Sequence, residues 1–175
     1  MAKWVALLRG VNVGGKNNVP MERLRAACTG AGLTGLQTYI QSGNLVFDSD
    51  KTADALAQVL HGVLTSEFDL TIPILVLPDH VFQKMLAACP FPESRGNLAH
   101  GYFCFSEPGF DEQAYESLKT LSEEVQIKGT VVWLHAPDGI AGSKLAARFE
   151  SVITDTILTG RNLNTIRKIA EMLDG

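Results

Sequence analysis

Hydrophobic positions recur with three different spacings along the chain, and each change of spacing predicts a boundary between elements. They are consecutive at residues 4–8, which is typical of a strand covered on both faces. Elsewhere they recur at helical spacing, or at every second residue as in hairpin strands. The first half is therefore predicted to contain strand 4–8, helix 20–31, strands 36–41 and 44–48, helix 52–68 and strand 71–77.

The second half repeats this order of elements without repeating the sequence. A helix at 79–88 and an irregular stretch at 90–97 precede it. The spacing then predicts strand 100–106, helix 111–121, strands 125–127 and 130–135, helix 144–152, strand 156–159 and helix 163–173. Strand, helix, strand, strand, helix, strand is the split-βαβ arrangement of ferredoxin-like folds. The predicted fold is thus α+β, with two tandem split-βαβ halves, antiparallel sheets and a C-terminal helix.

The domain organisation follows from this duplication of the pattern. The first half is predicted at residues 1–78 and the second at 98–175, with a linking helix and irregular segment at 79–97. Each half has the size of a small subdomain. Pro73 cannot donate a backbone hydrogen bond, so the fourth strand is predicted at the edge of the first sheet.

Two turn signals set the expected hairpin registers. Ser42-Gly43 is predicted as the two-residue loop of the first hairpin, and Lys128-Gly129 as that of the second. In the first hairpin, this register places alternate positions on the face that packs in the core. These positions are Leu36, Thr38, Ile40, Leu45 and Phe47.

Composition limits the classes of function. The chain has 175 residues, 46% of them hydrophobic, so it can bury a substantial core. Its formal net charge of −4 provides no electrostatic footprint for nucleic acid. The three cysteines form neither a disulfide framework nor a zinc motif, and the N-terminal apolar run is too short for a signal peptide or a membrane span. We expect a soluble cytoplasmic protein with no membrane attachment.

The main functional lead is the glycine-rich loop after the first strand. Gly10, four residues and then Gly15-Lys16 match the spacing of a phosphate-binding P-loop. Asn17 stands where that motif needs Ser or Thr for magnesium, and Pro20 falls too late in the first turn of a P-loop helix. We therefore do not expect a P-loop. Two interpretations stay open: the N–H groups and cations of the loop bind phosphate or carboxylate, or the glycines only make turns and the asparagines cap a helix.

Polar residues before two helices of the second half extend this candidate site. Ser143 is a natural helix N-cap, and Lys144 opposes the helix dipole unless an anion lies nearby. Arg161 and Asn162 precede the last helix, with Asn162 as its N-cap. The candidate anion-binding residues of the whole chain are Arg9, Asn12, Gly14, Gly15, Lys16, Asn17, Ser143, Lys144, Arg161 and Asn162.

No catalytic residue, metal site or cofactor is predicted. The four histidines lack the spacing of metal ligands, and no serine or cysteine occupies a nucleophile elbow. Among the histidines, His135 has the most suggestive position, at the end of a strand beside the loop of Pro137.

Four segments resemble, in order, the signatures of a known family: LLRGVNVGGKNNVPM, TYIQSGNLVF, HAPDGIAGSKL and RNLNTIRKIAEML. Over almost its whole length the chain is similar to the domain of unknown function family 1697, whose members are small bacterial proteins. The resemblance implies a cytoplasmic α+β protein and is compatible with the split-βαβ prediction. It implies no activity.

Three hypotheses of function follow. The first is a small-molecule or anion-binding protein, with or without catalysis, whose site at the glycine loop uses Arg9, Lys16 and Lys144. The second is a non-catalytic protein-interaction module. The third is a nucleic-acid module that uses an open sheet face. The acidic net charge and the lone aromatic Tyr39 on that face disfavour the third. The sequence leaves the oligomeric state open.

Overall fold

The computed structural model describes all 175 residues. The chain forms two compact units, residues 1–84 with 168–175, and residues 85–167. The predicted domain limits, 1–78 and 98–175, stay a prediction; the observed units differ from them in that the end of the last helix belongs to the first unit.

The first unit contains a four-stranded sheet with two helices packed on one face. Its elements are β1 (Ala2–Leu8), α1 (Met21–Gly30), β2 (Thr34–Tyr39), β3 (Asn44–Ser49), α2 (Ala53–Phe68), β4 (Ile74–Pro78) and α3 (Asp79–Ala87), which runs into the second unit. The strand order is β2-β3-β1-β4, and each pair is antiparallel. This is the order of a split βαβ. Because β4 pairs with β1 alone, the segment that contains Pro73 lies at the sheet edge, as predicted.

The centre of this unit is β1. Residues 4–8 are all buried, which confirms the prediction of a strand covered on both faces. Trp4, Ala6 and Leu8 pack with Leu24 of α1 and Leu60 of α2 in one apolar cluster.

The second unit has a sheet of the same strand order. Its elements are β5 (Ala99–Cys104), β6 (Gly109–Phe110), α4 (Glu112–Leu118), β7 (Glu124–Lys128), β8 (Val131–His135), α5 (Lys144–Ala147), α6 (Phe149–Val152), β9 (Ile153–Thr154), β10 (Leu158–Asn162) and the start of α7 (Leu163–Asp174). The order β10-β5-β8-β7 is again that of a split βαβ with antiparallel pairs. Its helix-covered face buries Val132 and Leu134 against Leu145, Phe149 and Val152.

The two predicted hairpin registers are wrong by two residues. Tyr39 pairs with Asn44, so the first loop spans residues 40–43, and Ile40 lies in it at a φ of 49° and 50% exposure instead of in the core. In the second hairpin Lys128 pairs with Val131, and the loop is residues 129–130. A shift of two residues keeps every strand side chain on its face, because the side-chain period is two. Of the other predicted core positions, Leu45 and Phe47 are buried and Leu36 packs against their cluster, whereas the Thr38 hydroxyl accepts an exposed hydrogen bond from Arg25.

The predicted helix at 144–152 is two short helices, α5 and α6, separated at Arg148. Arg148 has φ −120° and ψ 31°, outside the helical region. Leu145, Phe149 and Val152 nevertheless share one core, so their spacing looks helical in the sequence. A two-stranded sheet, β6 with β9, was not predicted from the sequence.

Candidate functional site

The glycine loop after β1 is a small projecting hairpin. The backbone N–H of Asn12 donates to the backbone carbonyl oxygen of Asn17 at 3.0 Å. The backbone N–H of Lys16 donates to the backbone carbonyl oxygen of Val13 at 2.9 Å. Gly14 and Gly15, with φ angles of 57° and 75°, form the two-residue turn that the second of these bonds closes. Two successive positive φ angles are typical of a type I′ turn, which glycine adopts without strain. The glycines therefore close a tight hairpin, and the N–H groups of residues 12 and 16 are used within it.

The side chains of the two asparagines hold the base of this hairpin. The Nδ2 atom of Asn12 donates to the carbonyl oxygens of Val19 at 2.9 Å and Gln41 at 2.7 Å, and its Oδ1 atom accepts from the Val19 N–H at 2.7 Å. Asn17 Nδ2 donates to the Gly10 oxygen at 2.9 Å. Neither side chain caps α1, contrary to the structural interpretation of the sequence. Asn12 fastens the loop to the first hairpin, and Asn17 closes the loop on itself.

The cations of this region differ in their surroundings. Lys16 is exposed near the tip and forms no ion pair. Arg9 is half-buried at the end of β1, and its backbone N–H donates to the Pro73 oxygen at 3.1 Å. No acidic residue precedes Glu22, so the N-terminal segment is positive in a chain of net charge −4.

Ser143 is a buried helix cap joined to a buried carboxylate. Its Oγ atom donates to Oε2 of Glu123 at 2.5 Å and accepts from the Ala146 N–H at 3.0 Å. The other carboxylate oxygen of Glu123 accepts from the Thr120 N–H at 2.9 Å. The predicted N-cap is confirmed. Lys144 is exposed at the first position of a helix of only four residues.

Arg161 and Asn162 lie on the edge strand β10. Asn162 Oδ1 accepts from the Thr165 N–H at 2.9 Å, as expected for the cap of α7. The guanidinium of Arg161 is buried and donates to Thr159 Oγ1 at 2.7 Å and to the Gly160 oxygen at 2.9 Å. Burial lowers the pKa of Arg161 to about 10.

The ten candidate residues fall into two groups. Those from Arg9 to Asn17 lie in one loop of the first unit, which Asn12 joins to residues 40–43. Those from Ser143 to Asn162 belong to the second unit. Their role in anion binding stays a prediction.

Another candidate site, which contains none of the ten predicted residues, lies in the second unit, where the irregular segment 90–98 meets His135. The segment and His135 line an open cavity of about 520 Å³, and its walls include Phe91, Leu98 and Arg95. The imidazole of His135 stacks on the Phe91 ring, with 5.0 Å between ring centroids and 23° between planes. Neither ring nitrogen of His135 has a hydrogen-bond partner in the chain. An apolar cavity with a few polar groups is the usual form of a small-molecule site.

Hydrogen bonds fix the shape of this wall. The Ala136 N–H donates to the Leu98 oxygen at 2.8 Å, next to the pair of Ala99 with His135 in the sheet. Two turns follow each other within the segment, closed by N–H donors of Ser94 at 3.1 Å and of Leu98 at 2.9 Å. The sequence indicates His135 and the irregular stretch 90–97 only as separate features. Only the pairing of β5 with β8 brings them together.

The comparisons with known proteins agree with the fold. Residues 1–133 match the model of the family described as "Protein of unknown function (DUF1697)", and the chain belongs to that family. The chain is also similar to a solved structure, that of the conserved bacterial protein SP0830 from Streptococcus pneumoniae. The two sequences are 27% identical, the TM-score is 0.76, and the match covers 100% of this chain and 99% of the other. No curated protein matches the sequence.

Two further observations concern the chain as a whole. None of its helices combines the length and the hydropathy that a membrane crossing requires. Cys28, Cys89 and Cys104 are all buried free thiols, and burial raises the pKa of Cys28 and of Cys104 to about 11.

Proposed function

We propose that this protein binds a small organic molecule in the cavity between residues 90–98 and His135. The observation that carries the proposal is the half-exposed imidazole of His135, which lines a mostly apolar cavity and whose nitrogens bond no other group of the chain. The imidazole stacks on the Phe91 ring, and this contact favours the orientation in which His135 lines the cavity. A cavity of about 520 Å³ has the size of known small-molecule sites.

The proposal is tested with phenol, a neutral aromatic probe, in a protein-observed NMR titration. We expect saturable shifts of the His135 ring signals and of the amides of residues 91–98, at a Kd of roughly millimolar as is typical of so small a ligand. Phe91→Ala removes one wall and should abolish the shifts. Phe110→Ala, a matched change at an exposed aromatic ring of the same unit, should leave them unchanged. Shifts that do not saturate, or that survive in Phe91→Ala, would contradict the proposal.

Anion binding at the glycine hairpin is a second proposal. It is supported by the exposed, unpaired Lys16 in a segment without acidic residues. The free thiols support a cytoplasmic location, because disulfides are rare in reducing compartments.

A further inference from the structure

Charge distinguishes the cavity at His135 from the rest of this acidic chain. Arg95 and Glu93 both line it, and neither forms an ion pair. A second guanidinium, that of Arg167, donates to the carbonyl oxygen of Pro92, another lining residue, at 2.8 Å. Two cations therefore accompany one carboxylate in this region, while the whole chain has a net charge of −4.

We propose, on the basis of the proposed function, that the ligand is an organic monocarboxylate with an apolar body. The planar guanidinium of Arg95 is suited to a carboxylate, because its paired N–H groups match the two oxygens. The apolar body would lie against Phe91 and Leu98, which line the same cavity. The imidazole of His135 offers a further hydrogen bond.

Glu93 limits the net positive charge that a ligand meets in the cavity, and this affects which ligand charge is favoured. Glu93 lines the same cavity as Arg95, two residues away in the chain, and both side chains are exposed. For a dianion such as a phosphate monoester, the attraction to Arg95 and the repulsion from Glu93 both double, whereas the cost of desolvating the ligand rises with the square of its charge. The site is thereby selective for a single carboxylate.

The wall is also rigid before a ligand arrives. Besides the two turns, Pro90 and Pro92 restrict the backbone on both sides of Phe91. The hydrogen bond from Arg167 to the Pro92 carbonyl further restrains the segment. A preformed wall reduces the entropy lost on binding.

The test compares four probes of similar shape by calorimetry at physiological salt: 3-phenylpropionate, 3-phenylpropanol, 3-phenylpropylamine and phenyl phosphate. We expect the carboxylate to bind about tenfold more tightly than the alcohol, the phosphate more weakly than the carboxylate, and the amine most weakly. Arg95→Gln should reduce the carboxylate to the affinity of the alcohol and leave the alcohol unchanged. Glu93→Gln should strengthen carboxylate binding. Arg148→Gln, an exposed arginine of the same unit outside the cavity, is the matched control.

The outcomes separate the two levels of the proposal. Equal affinity of carboxylate and alcohol would overturn the monocarboxylate inference while small-molecule binding stands. Tightest binding by the amine, lost in Glu93→Gln, would overturn it in favour of a cationic ligand. Tightest binding by phenyl phosphate would overturn the monocarboxylate inference in favour of a dianionic ligand. If no probe binds, and phenol also fails to bind, the proposed function itself is wrong.

Discussion

The side chain of Asn12 ties the glycine hairpin to the first β-hairpin, since its Nδ2 atom lies 2.7 Å from the carbonyl oxygen of Gln41. The two residues are 29 positions apart in the chain. A second bond of the same amide group, to Val19, closes the base of the loop from the other side. The loop that the sequence marks as a functional candidate is therefore held by its own polar residue.

We expect Asn12→Ala to destabilise the first unit. The change leaves the part-buried N–H and carbonyl of Val19 without their partner, at a cost of about 1–2 kcal/mol, whereas the exposed Gln41 carbonyl can bond water. The melting temperature should fall by several degrees. Asn18→Ala, at an exposed neighbour without a side-chain hydrogen bond, should change the free energy of unfolding by less than about 0.5 kcal/mol. Equal stability of the two variants would show that the Asn12 bonds contribute nothing.

The buried pair of Ser143 and Glu123 should be coupled in stability. Ser143→Ala removes the cap of α5 and leaves the Glu123 carboxylate buried with one donor fewer, so we expect a loss of about 1–3 kcal/mol. Combining it with Glu123→Gln gives a double-mutant cycle. Its interaction energy should exceed about 0.5 kcal/mol in urea unfolding. Ser151→Ala, at an exposed serine of α6, is the control and should be neutral.

Stability should depend on pH through His100. Burial lowers the pKa of His100, partly opposed by its hydrogen bond with the Asn97 backbone, and its Nε2 atom is buried without a partner. Because the folded pKa is below the unfolded one, the unfolded chain takes up the proton first as the pH falls. The contribution of the neutral His100 imidazole to the free energy of unfolding is present above the pKa of the unfolded state, about 6.5, and is lost progressively below it. Urea unfolding of His100→Gln should show a smaller loss of stability between about pH 7 and pH 5 than the parent. An identical slope in both proteins would refute this assignment.

Lys16→Gln tests the anion site at the glycine hairpin. The side chain is exposed and unpaired, so the free energy of unfolding should change by less than about 0.5 kcal/mol. Sulfate binding, followed by the NMR shifts of the Gly14 and Gly15 amides, should weaken roughly tenfold if the lysine bonds the anion. Lys51→Gln, another exposed lysine of the same unit, should leave it unchanged. Undetectable sulfate binding in the parent protein would refute the proposed anion site at the glycine hairpin.

The order of elements could be predicted from the sequence because hydrophobic periodicity is a local signal. Residues 4–8 are buried on both faces of β1, as their unbroken apolar run indicates. The caps Ser143 and Asn162 were also readable, since a cap bonds an N–H only three residues ahead. The strand order of both sheets followed from the recurrence of strand, helix, strand, strand, helix, strand.

Tertiary structure decided the features that depend on residues far apart in the chain. Side-chain alternation predicts a face but does not distinguish registers that differ by two residues, so Ile40 was placed in the core. The partner of Ser143, Glu123, is 20 residues away, and no local spacing indicates it. His135 meets Phe91 only because β5 pairs with β8, so the cavity exists only after the sheet forms. Local periodicity determines elements, whereas the contacts that build a site are set by strand pairing and packing.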